Sequence, residues 1–179
     1  MKVTETDLAG VLIIEPDVFS DDRGFFIESY SRRRYAELRG LDVEFLQDNH
    51  SHSSANVLRG LHMQRRRPQG KLLRVVAGHI WDVAVDVDPG SPTFRRWVGT
   101  ELTGENHLQL YIPPGYAHGF CVLSASADVE YKCTQLYDPK DEIGIAWNDP
   151  DLAIEWPIAA PRLSERDRRN PTLADALRQ

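Results

Sequence analysis

The middle of the chain can only be β. Lys71 to Ala77 and Ile80 to Val87 are apolar, rich in valine, and separated by Gly78-His79, which reads as a hairpin turn. Phe94 to Leu102 follows Pro89-Gly90-Ser91-Pro92, and Leu108 to Ile112 stops at Pro113-Pro114-Gly115. Gly119 to Leu123 and Val129 to Leu136 read as another pair, and Ile143 to Trp147 as a short strand before Asn148-Asp149-Pro150. Many short strands at near-regular spacing restrict the fold to a sandwich or a barrel.

The flanks are less regular. Leu8 to Phe19 reads as a strand entering a polar turn, Ser20 to Gly24, with Phe25 to Tyr30 returning as a strand. Ser31 is placed to cap a short helix running to about Arg39, with Gly40 as its stop. Val43 to Gln47 reads as a further strand. Ser164 to Ala176 has a capping serine and helix formers broken by Pro171, which predicts one or two short helices.

No repeat, low-complexity segment or linker interrupts the 179 residues, so one domain over 1–179 is expected. A net charge of −6 argues against nucleic acid as partner. The runs Arg32-Arg33-Arg34 and Arg65-Arg66-Arg67 are short and read as solvated faces. No apolar run approaches the roughly 20 residues that cross a bilayer, and the N-terminus does not look like a signal peptide. Two cysteines, Cys121 and Cys133, then fit a reducing cytoplasm without a disulfide.

Chemistry concentrates between Gln47 and Arg74. Gln47-Asp48-Asn49-His50, Val57-Leu58-Arg59-Gly60-Leu61-His62 and Pro68-Gln69-Gly70-Lys71 put Asn49, Arg59, His62 and Lys71 within a span that can fold back as neighbouring strands. Two cations flanking one imidazole suit an anionic ligand with a proton transfer beside it. Later, Pro113-Pro114-Gly115-Tyr116-Ala117-His118-Gly119-Phe120 resembles the second motif of cupins, which are double-stranded β-helix (jelly-roll) proteins. That loop would aim His118 into the cavity that His62 faces. Many cupins hold a metal with a His-x-His pair, a glutamate and the later histidine. Here Gln64 stands where the second histidine would fall, and Lys71 has no lone pair to give. His62 and His118 alone are too few ligands, so no metal centre is expected. His50, His52, His79 and His107 read as core or surface histidines.

Several pieces in a fixed order resemble one family. They are Asp22-Arg23-Gly24-Phe25-Phe26, Gln47-Asp48-Asn49, Leu58 to His62, Pro68 to Lys71, Trp81-Asp82-Val83, Ile112 to Gly115, His118-Gly119-Phe120, Tyr131-Lys132-Cys133 and Trp147 to Pro150. Over about Val11 to Arg169 the chain resembles the dTDP-4-dehydrorhamnose 3,5-epimerases. The resemblance implies a mainly β, cupin-like jelly-roll homodimer with short flanking helices and without metal or organic cofactor. It implies inversion of C3 and C5 of dTDP-4-dehydro-6-deoxy-D-glucose. It makes His62 the base, Tyr131 the acid and Asp167 the carboxylate that orients the base. Substrate contacts fall on Arg23, Glu28, Gln47, Asn49, Arg59, Lys71, His118, Glu142 and Arg166, with Tyr137 stacking on thymine. Arg166 stands where a lysine is frequent, which keeps the charge. Met63 stands where an aromatic is frequent, a change expected in the pocket wall.

A ketone at C4 acidifies the hydrogens on C3 and C5. Inversion through an enolate needs a base on one face, an acid on the other and a cation at the enolate oxygen. An imidazole titrates near neutral pH and suits the base. A phenol can deliver a proton, an ammonium can hold the oxyanion, and guanidinium groups at Arg23 and Arg59 suit a diphosphate. On the residues alone, Arg23 reads equally as a loop salt bridge, Tyr131 as a strand aromatic, and Asp167, Glu28 and Glu142 as anonymous carboxylates. The rival activities are epimerisation at one carbon only, non-catalytic sugar binding, and metal-dependent oxygenation, the last disfavoured by the missing ligands. Dimerisation is expected from Leu8 to Ile14, an apolar strand that would be a liability as an open edge.

Overall fold

The computed structural model describes residues 1–38 and 41–178. The strands are β1 (Lys2–Glu5), β2 (Leu12–Glu15), β3 (Val18–Asp21), β4 (Gly24–Ile27), β5 (Gln47–Ser54), β6 (Leu58–Gln64) and β7 (Lys71–Ala77), then β8 (His79–Asp86), β9 (Trp97–Thr103), β10 (Gln109–Ile112), β11 (Tyr116–Val122), β12 (Ser126–Cys133) and β13 (Glu142–Gly144). Helix α1 (Arg32–Ala36) follows β4, while a 3-10 turn (Asp167–Arg169) and α2 (Leu173–Ala176) close the chain. A six-stranded sheet, β1-β2-β10-β7-β12-β5, faces a five-stranded one, β13-β6-β11-β8-β9, and β3 and β4 form a separate ribbon. This is the expected jelly roll.

Alternation along the strands builds three apolar layers. Leu73, Val75, Ile80, Leu102, Phe120 and Val129 meet between the sheets. Leu72, Tyr111, Leu12 and Ile14 pack outside the larger sheet with Tyr35 of α1. Leu61, Val83, Val85 and Ala117 pack outside the smaller sheet under Ile145, Leu152, Leu173 and Ala176. Burying Leu173 alone contributes roughly 1.5–3 kcal/mol. Asp149 reinforces this C-terminal strap by accepting from the backbone N–H of Leu173 at 2.6 Å and of Asp151 at 2.8 Å.

Gly78 does not make a hairpin. β7 lies between β10 and β12, and β8 between β11 and β9, so the chain changes sheets there. Gly78 has φ +86°, and a Cβ on it would sit 2.1 Å from the Ser126 carbonyl oxygen. The expected pair of β11 with β12 is a second sheet-to-sheet crossing, not a hairpin. From β5 to β13 the chain passes from one wall to the other at every step except β8 to β9, which pair directly.

Other local expectations shift as well. Residues 43–46 are not strand, and the strand expected there begins at Gln47 and continues through Ser54. Leu8 to Phe19 is broken into a turn, β2 and β3, and Ser20 to Gly24 is the tip of the β3–β4 ribbon. β2 is paired on both sides, Ile14 with Val3 of β1 and Ile13 with Leu110 of β10, so no apolar edge is left open at Leu8 to Ile14. Ser31 occupies the N-cap of α1 without a side-chain bond. The expected helix end at Arg39 and Gly40 lies outside the described residues. At the C-terminus the two short helices appear as expected: Ser164 Oγ accepts from the Asp167 N–H at 3.0 Å and Thr172 Oγ1 from the Asp175 N–H at 3.3 Å. Cys121 and Cys133 are buried and free. Among the described residues no helix is long and apolar enough to cross a membrane.

Candidate active site

A cavity of about 430 Å³ lies between the sheets, lined from β5, β6, β7, β11, β12, β13 and the C-terminal turn. The larger sheet supplies Gln47, Asn49 and Ser51 of β5, Tyr131 and Cys133 of β12, and Lys71 of β7, at positions of one alternating face. Cross-strand register sets Asn49 beside Tyr131, and Cys133 between Gln47 and Lys71. The smaller sheet supplies His62 of β6 directly opposite His118 of β11. Arg59 and His62 are three residues apart, which a regular strand would point to opposite faces. Two steps on β11, from His118 to Phe120, match three on β6, from His62 to Arg59, so β6 carries a bulge. Gly60 sits in it at φ +122°, where a Cβ would be 2.6 Å from Gly119 Cα. The bulge lets both side chains line the cavity.

His62 Nε2 lies 2.6 Å from Asp167 Oδ1. Asp167 is 5% exposed. Burial pushes its carboxyl up, but hydrogen bonding and charge at His62, with Ser164 and Asn170, outweigh that and hold it below the usual carboxylate range. With the Nε2 proton given to Asp167, the lone pair of His62 resides on Nδ1. Glu142 Oε1 stands 3.9 Å from Nδ1. Glu142 Oε2 accepts from the Tyr137 hydroxyl at 2.9 Å and from Arg166.

The Lys71 ammonium makes no ion pair among the described residues. Burial pulls its pKa down, against Cys133, Asp82 and Glu142, which favour the charged form. Burial pushes the Tyr131 hydroxyl up, with Cys133 and Glu142 adding and Arg59 opposing, so Tyr131 keeps its proton at neutral pH. His118 Nε2 lies 3.0 and 2.8 Å from the two oxygens of Asp82. Gln47, Asn49 and Cys133 form a chain: Gln47 Nε2 donates to Asn49 Oδ1 at 2.8 Å, and Asn49 Nδ2 to Cys133 Sγ at 3.5 Å. Arg59 is steadied by Ser53 Oγ at 3.0 Å, with its guanidinium left exposed.

The anticipated residues Gln47, Asn49, Arg59, His62, Lys71, His118, Tyr131, Tyr137, Glu142, Arg166 and Asp167 therefore share one cavity. Arg23 and Glu28 do not join them. Arg23 pairs with Asp21 at the tip of the β3–β4 ribbon, and Glu28 bonds Arg34 at 3.0 Å. Met63 is not in the pocket wall, because it points into the layer outside the smaller sheet. Sequence reasoning missed Ser51, Gln69, Phe120, Cys133 and Ser164 as lining residues. Continuing the β5 alternation from Asn49 would have found Ser51.

A family model described as dTDP-4-dehydrorhamnose 3,5-epimerase matches residues 5–175. The chain belongs to this family. The dTDP-4-dehydrorhamnose 3,5-epimerase of Pseudomonas aeruginosa is 53% identical over 177 residues, covering 98% of each chain. A crystal structure of the dTDP-6-deoxy-D-glucose-3,5-epimerase of Legionella pneumophila, in complex with dTDP-4-keto-L-rhamnose, superposes with TM-score 0.94 at 50% identity, covering 97% of this chain and 93% of that one. A 3'-monoepimerase from Streptomyces bikiniensis, in complex with dTDP-quinovose, superposes with TM-score 0.91 at 35% identity, covering 97% and 88%. The family scaffold thus hosts enzymes named for two carbons and for one.

Proposed function

We propose that this protein converts dTDP-4-dehydro-6-deoxy-D-glucose into dTDP-4-dehydro-L-rhamnose by inverting C3 and C5, as an isomerase of dTDP-L-rhamnose biosynthesis. The observation that carries the reading is His62 held by Asp167 at 2.6 Å in the cavity that also contains Lys71 and Tyr131. His62 Nδ1 takes the proton from C3 or C5, and the electron pair moves onto the C4 oxygen. Lys71 faces that oxyanion with an ammonium that makes no ion pair among the described residues. Tyr131 gives its proton to the opposite face, which inverts the centre. The tyrosinate then regains a proton and the imidazolium loses one before the second carbon reacts. The ketone supplies the electron sink, so the chemistry needs neither metal nor organic cofactor.

Arg59, Arg166 and Tyr137 form the nucleotide end, suited to a diphosphate and a thymine ring. Arg23 and Glu28 belong to the same site only if a second copy brings them there. The ribbon that bears Arg23 exposes Phe19, Phe25 and Phe26 at 62%, 58% and 68%, a patch that favours covering by another chain. A homodimer in which this ribbon meets the partner's cavity is the assembly we favour, each chain acting as a single domain in the cytoplasm. Greater identity to a 3,5-epimerase than to the monoepimerase favours two inversions over one.

The test is an NMR time course with purified protein and the keto sugar nucleotide in D2O. Deuterium should enter at both C3 and C5 as the L-sugar forms. Exchange at one carbon only would make this a monoepimerase, and no exchange would refute the reading.

A further inference from the structure

Among the buried carboxylates that the mechanism above does not use, Asp82 is the one bonded to a side chain that lines the cavity. Asp82 lies in the apolar run of β8 and is 0% exposed. A charge placed there must be partnered, because burial penalises it heavily. Thr100, opposite it on β9, is buried with an unbonded hydroxyl, so it does not share Asp82. The partner is His118, whose Nε2 approaches both carboxylate oxygens, at 3.0 and 2.8 Å. His118 itself lines the cavity.

We propose that Asp82 is a positioning residue for the epimerisation: its carboxylate fixes His118 as the neutral, Nε2-protonated tautomer and balances the Lys71 ammonium that receives the enolate charge. The inference rests on the epimerase reading for the role of Lys71, and on geometry alone for the tautomer. With Nε2–H committed to Asp82, His118 Nδ1 is bare. The ring then accepts a hydrogen bond from substrate and has no proton to deliver, so it does not compete with Tyr131 as acid. Burial keeps His118 below the usual histidine range, with Lys71 and His62 adding to the effect and Asp82 opposing it.

The groups that favour the charged form of Lys71 are Cys133 on β12, Asp82 on β8 and Glu142 on β13. Burial pushes the Cys133 thiol up, so it carries no charge at neutral pH. Glu142 is engaged by Arg166 and by the Tyr137 hydroxyl. Asp82 is left as the carboxylate with no cation of its own. Removing its charge lets Lys71 lose its proton more readily, which moves the basic limb of the pH–rate profile to lower pH.

Two measurements test this. In the wild type, nitrogen-15 NMR of the histidine rings from about pH 5 to 8 should show His118 protonated at Nε2 and bare at Nδ1 throughout. An Nδ1–H tautomer, or titration to the imidazolium within that range, overturns the assignment without any variant. Asp82→Asn keeps the shape and one oxygen acceptor. Its kcat should fall roughly tenfold to a hundredfold, the span common for a partner one step removed from the reacting centre, with KM nearly unchanged and the basic limb moved down. A folded Asp82→Asn with wild-type kcat and an unmoved limb also overturns it. Should Asp82→Asn not fold, the wild-type tautomer decides. Failure of the wild type to invert the keto sugar would sink the epimerase reading while leaving the tautomer result readable.

Discussion

Two histidine–carboxylate pairs stand side by side in this cavity, and they are built for different tasks. His62 and His118 are cross-strand neighbours on β6 and β11, each with Nε2 on an aspartate. The side chain of His62 is 25% exposed and its carboxylate comes from the distant C-terminal strap. His118 is 11% exposed, and its carboxylate is sealed within the sheet. Around His62 the second nitrogen faces the Glu142 carboxylate at 3.9 Å. Around His118 the neighbours are Lys71 and Asp82, and burial with the Lys71 charge discourages protonation. The same two residue types thus give a movable proton in one place and a fixed hydrogen bond in the other. Burial and neighbouring charge make that difference.

The sharpest way to break the comparison is to remove each imidazole. His62→Ala should lower kcat by roughly 10⁴, the upper end for general acid–base catalysis, and end deuterium uptake at both carbons. His118→Ala should turn over more slowly yet still exchange. Loss of exchange in His118→Ala would make the two pairs equivalent.

Next in size is Asp167→Asn, for which a loss of roughly 10²–10³ in kcat is expected, with little change in KM. The same variant bears on acid stability. The Asp167 carboxyl lies below its usual range in the folded protein. Its contribution is therefore present above the unfolded value of about 4 and fades as pH falls through the lowered one. Thermal melts of wild type and Asp167→Asn should differ at neutral pH and converge on acidification. Melts that stay equally far apart at every pH would show that the carboxylate is not held by charge.

Tyr131→Phe should affect inversion more than uptake, with inversion slowed by roughly 10², because His62 can return a proton to the face it came from. Equal losses in both readouts would place Tyr131 elsewhere in the mechanism. The smallest expected effect is that of exhaustive chelation, which should leave the rate unchanged, since both imidazoles are committed to carboxylates and Lys71 repels a cation. A rate that collapses and returns with added Fe, Mn or Zn would overturn both pairings.

Much of the site was legible in the sequence because its residue types announce their chemistry. An imidazole flanked by Arg59 and Lys71 was readable from spacing, and His118 from a proline-glycine-histidine stretch that resembles a cupin motif. Asp82 was readable in principle, as one of two carboxylates amid the apolar run Ile80 to Val87 that had to find buried partners. β5 was not, because Gln47 to Ser54 has no apolar period and becomes a strand by pairing along its whole length with β12. Nor was the shared side of Arg59 and His62, which depends on one extra residue in β6.

The sequence by itself determined the apolar strands of the middle of the chain, from Lys71 onward, since apolar periodicity is a local property. It also determined which groups are available to move a proton or hold an anion. The tertiary structure decided that Gly78 joins two sheets, because strand pairing is a contest among distant segments. It brought Asp167 to His62 across 105 residues of chain. It also decided which of two like pairs is the more exposed, because a side chain's exposure and electrostatic surroundings exist only once the walls have closed around it.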